Sequence, residues 1–538
     1  MNEEMNQPNE KVPNQTCIPS KAINDSISKE LNTNCLLDHG VKDAATVFVS
    51  CSDYEATRCC LTLGVHPERL QGGHIMNILS EDTQTTTVVD WKLIVRLLLE
   101  AGVDPNICDL TGTPLISLLV STGDVSLVRL ALAKGANIEA VRPNGDTPLA
   151  MAVHCRDVTC IDFLLNKGAN PNCITGNGNS ALKWSVGRAN GFTLLRSQTC
   201  VELLLKYGAD PNYKNQMGMT PLMSVSRREA NTARMLIAAG ADPNITDNQG
   251  ETALMKAVET CAHQVVLTLL ECGSNPNVKS SIGASAAMYA KSEEVLKMLL
   301  ENGADPNIKD NEENVPIHHH AKRNQYSLCK LLLEYGSNID PRNKAGETPL
   351  QLSVRTRSIN CINLFLDLNS DVTTVNKKGI SVLHDAIISW DYFSTINIFS
   401  KINSLAEMED FNRYSQYNES TTTLKSLLLK GADPNCTGEG GVTPLMLASA
   451  ICDLNAVDCL IKSGASVHTA DHQGLIPLSY ACKWGRTEIV RLLLNRDSPV
   501  NVIDKEGNLP IFYAAQFKFE EILSMLMVEL AFYFHSYM

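Results

Sequence analysis

Gly102-Val103-Asp104-Pro105-Asn106, Gly135-Ala136-Asn137 and Gly168-Ala169-Asn170-Pro171-Asn172 stand 33 residues apart, glycine to glycine. The series continues at Gly208, Gly240, Gly273, Gly303, Gly336, Asn369, Gly431, Gly464 and Asp497, with spacings of 40, 32, 33, 30, 33, 33, 62, 33 and 33. A fixed period of this size is the signature of a supersecondary unit stacked on copies of itself. A second string keeps step with the first: Thr113-Pro114-Leu115, Thr147-Pro148-Leu149, Thr220-Pro221-Leu222, Thr348-Pro349-Leu350 and Thr443-Pro444-Leu445. Weaker copies include Ser180-Ala181-Leu182, Thr252-Ala253-Leu254, Val315-Pro316-Ile317-His318 and Ser381-Val382-Leu383-His384, and Ser285-Ala286-Ala287 is the weakest.

The chemistry of the two strings explains their spacing. Thr or Ser at a helix N-cap accepts a backbone N–H. Pro follows at the first helical position, where its missing donor does no harm. A second helix begins about ten residues later, as at Val201-Glu202-Leu203-Leu204-Leu205-Lys206. It ends at the recurring Gly, which takes a left-handed C-cap conformation without steric cost. Asp-Pro-Asn then opens a turn and short hairpin, closed by a further Gly such as Gly145, Gly218, Gly250 or Gly474. Four places before each anchor stand Leu98, Ala131, Leu164, Leu204, Leu236, Leu269, Leu299, Leu332, Phe365, Leu427, Leu460 and Leu493. A single unit cannot bury that face, so neighbours must stack.

A 33-residue period with Thr-Pro-Leu-His-like helix starts and Gly-Ala-Asp-Pro-Asn-like turns resembles the ankyrin repeat. The resemblance covers roughly residues 71–530. It implies an all-α solenoid of about 12–13 stacked helix-turn-helix units with short β-hairpin loops, a concave groove and projecting hairpin tips. Only His318 and His384 keep the histidine of the helix-start motif, so the loop-bridging bonds it makes in the family are expected to be weaker elsewhere. The resemblance also implies that turn asparagines such as Asn106, Asn212, Asn244 and Asn307 are open to an asparaginyl hydroxylase.

Composition agrees with a thin stack. The chain has 538 residues, 44% apolar but only 5% aromatic, so large core fillers are scarce. A net charge of −13 argues against coating a nucleic-acid backbone or an anionic membrane surface. The start, Met1-Asn2-Glu3-Glu4, has no apolar signal region, and no run of 18 apolar residues marks a membrane span. The 18 cysteines therefore read as thiols of an intracellular protein, cytoplasmic or nuclear.

Residues 1–40, rich in Asn, Glu, Ser and Pro, read as a disordered segment. Residues 41–70 read as a degenerate cap, 71–402 and 423–530 as repeats, and 531–538 as an apolar tail. The first unit places helices near 74–80 and 91–101. The 40-residue spacing implies a loop around 190–197. The 62-residue spacing implies either a long loop over 403–422 or a degenerate repeat.

Cys160, Cys200 and Cys361 occupy a position filled elsewhere by Ile94, Leu127, Val265 and Ile489, so they read as core residues. His318-His319-His320 is the best local metal candidate, but successive helical residues point about 100° apart and do not converge. No phosphate-binding loop or nucleophile elbow occurs. The expectation is therefore no catalytic residue, no metal and no cofactor.

One row departs from this pattern. Seven or eight places after the helix starts stand His154, Arg188, Arg227, Arg228, Glu259, Lys322, Arg323, Arg355, Lys483 and Trp484. Arg188, Arg227, Arg228, Lys322, Arg323, Arg355, Lys483 and Trp484 form the candidate binding set. Two readings stay open. The row binds an acidic or phosphorylated segment of a partner protein, or its cations offset helix macrodipoles. Hairpin tips with Lys214, Asp310, Glu312, Glu313, Arg342, Lys344, Lys377, Lys378, Asp504 and Lys505 are a second candidate surface.

The expected function is a scaffold or adaptor that binds a protein along its groove, itself a monomer. The alternatives are a recognition subunit of a larger assembly such as a ubiquitin ligase, which the abrupt apolar end favours, and an enzyme with its site in 403–422.

Overall fold

The computed structural model describes residues 91–109, 111–186, 194–389, 418–451 and 453–537. The expectations for residues 1–90, for Arg188 and for 403–417 lie outside the described residues. Two compact units divide the chain, residues 1–210 and 211–538, and each is a stack of helix pairs. In the first, α1 (Trp91–Glu100) precedes the pairs α2 (Leu115–Ser121) and α3 (Val125–Ala133), α4 (Pro148–Cys155) and α5 (Val158–Asn166), and α6 (Ala181–Ser185) and α7 (Leu194–Lys206).

In the second unit a 3-10 turn, Leu222–Ser224, pairs with α8 (Ala230–Ala238). The pairs α9 (Ala253–Glu259) and α10 (His263–Glu271), α11 (Ala286–Tyr289) and α12 (Glu293–Glu301), and α13 (Pro316–Lys322) and α14 (Tyr326–Glu334) follow. Then come α15 (Pro349–Arg355) and α16 (Ile359–Asp367), and α17 (Val382–Ser389) and α18 (Asn418–Leu429). Last are α19 (Pro444–Ile451) and α20 (Leu454–Lys462), α21 (Pro477–Lys483) and α22 (Thr487–Leu494), and α23 (Pro510–Gln516) and α24 (Glu520–Tyr537).

The seam is where the period places it. All twelve residues four places before the anchors are at most 1% exposed. Cys160, Cys200 and Cys361 are sealed in the same core. Thr147, Ser180, Thr252 and Thr348 accept the N–H three residues on, as N-caps do. Where an anchor glycine is missing, Asn369 and Asp497 themselves take the left-handed conformation, at φ 55° and 58°.

Stacking is also stitched through the turns. Asn212 Nδ2 donates to the Gly240 carbonyl and its Oδ1 accepts from Asp242 N. Asn277, Asn307 and Asn435 repeat the two bonds one unit along. His318 accepts from Val315 N and donates to the Glu347 carbonyl, bridging one helix start to the next. His384 does the same between Ser381 N and the Val442 carbonyl. At Gln351 the expected weakening does not occur: its amide accepts from Thr348 N and donates to the Ile380 carbonyl, because it presents the same acceptor and donor as an imidazole.

The structure departs from the sequence reading in several places. The cap of α2 is Pro114, not Thr113. Asp109 Oδ1 binds the N–H of Thr111 and Thr113, so Thr113 belongs to the finger and the helix starts one residue late. After Thr220 only the 3-10 turn forms. The Glu229 carboxylate there takes the N–H and hydroxyl of Ser226, and Ser and β-branched residues at 224–226 favour leaving the helix. The 30-residue spacing is absorbed by α11, only four residues long.

Leu194–Ser197, read as part of a loop, form the first turn of α7. Residues 418–422 likewise begin α18, and α24 runs on through the residues read as a tail. The expected hairpins are reduced, among the described residues, to isolated antiparallel bridges at Cys108–Pro114, Ile174–Ser180 and Val375–Ser381. Finger-base carboxylates such as Asp247 take the N–H groups two and four residues on, in competition with a strand ladder.

Candidate protein-binding face

The first helix of each pair, with the finger before it, presents an inner face. Four residues past the helix start, side chains turn back to the finger base nine residues earlier. In the first unit Trp184 Nε1 donates to Thr175 Oγ1 at 3.0 Å. In the second unit Lys256 pairs with Asp247 at 2.9 Å and also with Glu251. His319 lies 2.8 Å from Asp310. Tyr480 donates to Asp471 at 2.8 Å, and Tyr513 donates to Asp504.

Burial works against the Asp247 charge, but Lys256 and two backbone N–H groups outweigh it and hold the carboxyl below its ordinary range. Burial, then the neighbouring aspartate, pushes the Tyr480 and Tyr513 hydroxyls up. The three successive histidines diverge. His318 reaches Glu347 of the next repeat, His319 its own finger, and His320 the Ala287 carbonyl of the preceding repeat. Burial depresses His318 and His320 to about 4. No metal-binding group of three or more His, Cys, Asp or Glu occurs among the described residues.

Seven or eight places past the helix start, two of the cations end on a neighbour's helix terminus. Arg227 Nη2 donates to the Thr260 carbonyl at 2.7 Å, and Arg323 Nη1 to the Met288 carbonyl at 3.1 Å. Three residues outside the candidate set do the same. Lys291 donates to Glu259, Arg357 to Ser389 and Arg486 to the Ala450 carbonyl.

Arg355 is held differently, by Asp385 at 3.0 and 3.2 Å and Glu347 at 2.6 Å. Burial opposes its charge, yet the two carboxylates raise the guanidinium above its ordinary range. Arg228 and Lys322 are exposed and make no hydrogen bond among the described residues. The row is thus not one uniform basic strip: Arg227, Arg323 and Arg355 are bonded within the fold, because stacking brings acceptors from other repeats to them.

The face changes in the last repeats. Lys483 Nζ lies 5.7 Å from the centre of the Tyr513 ring. Trp484 caps α21 at its C-terminus and is half-buried. One period on, Phe517 caps α23 in the same way. Tyr480 is half-buried, and Phe512, 46% exposed, packs edge-on to Tyr513. Aromatic residues recur one period apart here, Tyr480 with Tyr513 and Trp484 with Phe517, and of these only Trp484 belongs to the candidate set.

A family model for ankyrin repeats, built on three copies, matches residues 90–175, 193–280, 284–376, 413–503 and 452–533. The chain belongs to the ankyrin-repeat family. No curated protein matches it. Ankyrin repeats generally bind other proteins and are typically not enzymes. No helix among the described residues is long and apolar enough to cross a membrane.

Proposed function

We propose that this ankyrin-repeat chain is a recognition scaffold that holds a segment of a partner protein against the inner face of residues 444–537. One observation carries the reading. At the positions where Lys256 and Arg323 bond within the fold, these repeats place Tyr480, Trp484 and Phe517, all part-exposed, with Lys483 and Phe512 on the same two helices. Aromatic side chains on a rigid frame are the usual centres of binding energy at protein interfaces. The stack supplies the frame, so little ordering cost falls on binding. Arg228 and Lys322 add charge that the fold does not use.

The test is affinity capture with the full chain followed by mass spectrometry. Proteins recovered with wild type are expected to be lost with the double variant Trp484→Ala, Phe512→Ala. They are expected to be reduced only in part with Arg228→Glu, Lys322→Glu. Recovery undiminished by the aromatic variant overturns the proposal.

A further inference from the structure

Trp484 and Phe517 occupy the same position in successive repeats, as the C-caps of α21 and α23. Both are half-buried, and Phe512 on α23 is 46% exposed. The two helices pack directly on each other. Packed helices stand about 8–10 Å apart, so the face offers a ring once in each such step.

Between the rings the face offers hydrogen-bond donors. Trp484 Nε1 and Lys483 Nζ make no hydrogen bond among the described residues, and Lys483 lies against the Tyr513 ring, 5.7 Å from its centre. The two finger-base carboxylates of these repeats are closed. Asp471 accepts from Gln473 N, Leu475 N and the Tyr480 hydroxyl. Asp504 accepts from Glu506 N, Asn508 N and the Tyr513 hydroxyl.

We infer that this face takes a proline-rich segment of the partner protein in the polyproline II conformation. The inference rests on the reading that residues 444–537 hold a partner segment, and gives that segment its chemistry. A polyproline II helix has three residues per turn and rises about 3.1 Å for each, so one face returns every ~9.3 Å, a single repeat pitch. A β-strand returns its face after two residues, about 6.6–6.8 Å, and falls out of step with the rings. An α-helix spends its carbonyls on its own N–H groups and leaves the donors of Trp484 and Lys483 unanswered. A polyproline II segment has no internal hydrogen bonds, so its carbonyls are free to accept from both. Its prolines carry no N–H, and so make no call on the carboxylates that Tyr480 and Tyr513 have closed. Two prolines three places apart lie on the rings of Trp484 and Phe517, the way such segments dock on aromatic faces. A segment already stiff in the bound shape also loses little freedom on binding.

Fluorescence anisotropy of the full chain with a labelled peptide of four Pro-Pro-Ala triplets tests this. The comparison peptides are four Gly-Ser-Ala triplets, which are flexible, and an Ala-rich helical peptide of equal length. Wild type is expected to bind the proline peptide about tenfold more tightly than either. Trp484→Ala and Phe517→Ala are each expected to raise Kd about tenfold. Trp484→Phe keeps a ring but removes the donor, and is expected to raise Kd about threefold with an unchanged unfolding midpoint. Tyr326→Ala removes an aromatic side chain 42% exposed on α14, and is expected to bind as wild type. The inference is overturned if the flexible or the helical peptide binds as tightly as the proline peptide. It is also overturned if Trp484→Phe and Phe517→Ala both bind like wild type, or if Tyr326→Ala loses as much as they do. Partner capture that is lost in Trp484→Ala, Phe512→Ala, with no affinity of wild type for the proline peptide, sinks this inference and leaves the groove reading standing. Undiminished capture removes the groove reading itself, and this inference with it.

Discussion

The inner face around Lys256, His319 and Arg355 and the inner face around Tyr480, Trp484 and Phe512 are built on the same repeat unit, yet their side chains are engaged differently. In the first, Lys256 is closed by Asp247 and Glu251, and Arg355 by Asp385 and Glu347. In the second, the Tyr480 and Tyr513 hydroxyls bond to Asp471 and Asp504, Tyr513 is buried, and Tyr480, Trp484 and Phe512 stay part-exposed. The repeat fixes where a side chain points. Its chemistry then decides whether it is bonded within the fold or left part-exposed.

The comparison assumes one apolar seam beneath both faces, and the largest effect tests that assumption. Leu332→Ala, under the charged face, and Leu493→Ala, under the aromatic one, each remove a side chain with no exposed surface. Each is expected to cost about 2–5 kcal/mol in denaturant unfolding. Little change from either means that the two faces do not share a seam.

Acid should separate the faces. His318 and His320 are buried neutral at about 4, below the unfolded value of 6.5, so the unfolded chain takes the proton first. Their contribution is complete above pH 6.5 and lost progressively as pH falls toward 4, about 2 kcal/mol per histidine by pH 5. Tyr480 and Tyr513 stay protonated throughout that window. Hydrogen exchange at pH 7.5 and pH 5 is expected to show protection falling in α13–α15 more than in α21–α23.

Arg355→Ala should leave Asp385, only 5% exposed, without its cation. With Arg355 itself 39% exposed, the expected loss is about 1–3 kcal/mol in thermal or denaturant unfolding. The same measurement on Trp484→Ala should move much less than its effect on partner capture.

The smallest effect distinguishes two neighbours. Arg227→Ala removes a bond to a helix terminus and is expected to cost about 0.3–1 kcal/mol. Arg228→Ala should stay within about 0.5 kcal/mol. Equal losses would mean that Arg228 also serves the fold.

The sequence by itself determined the period, the helix starts, the turns and the seam. Caps, left-handed turns and buried leucines act within one repeat, and their chemistry recurs every 33 residues. It also brought Lys483 and Trp484 to attention through their place in the repeat. Only the tertiary structure decided which cations are bonded within the fold. The acceptors for Arg323 and Arg227 are carbonyls 35 and 33 residues away, and they come within reach only when repeats stack. The α2 cap at Pro114 has a local cause instead, since Asp109 takes the Thr113 N–H four residues on. Contacts inside a repeat are written in local order along the chain, whereas contacts between repeats depend on a pitch and register that only packing sets.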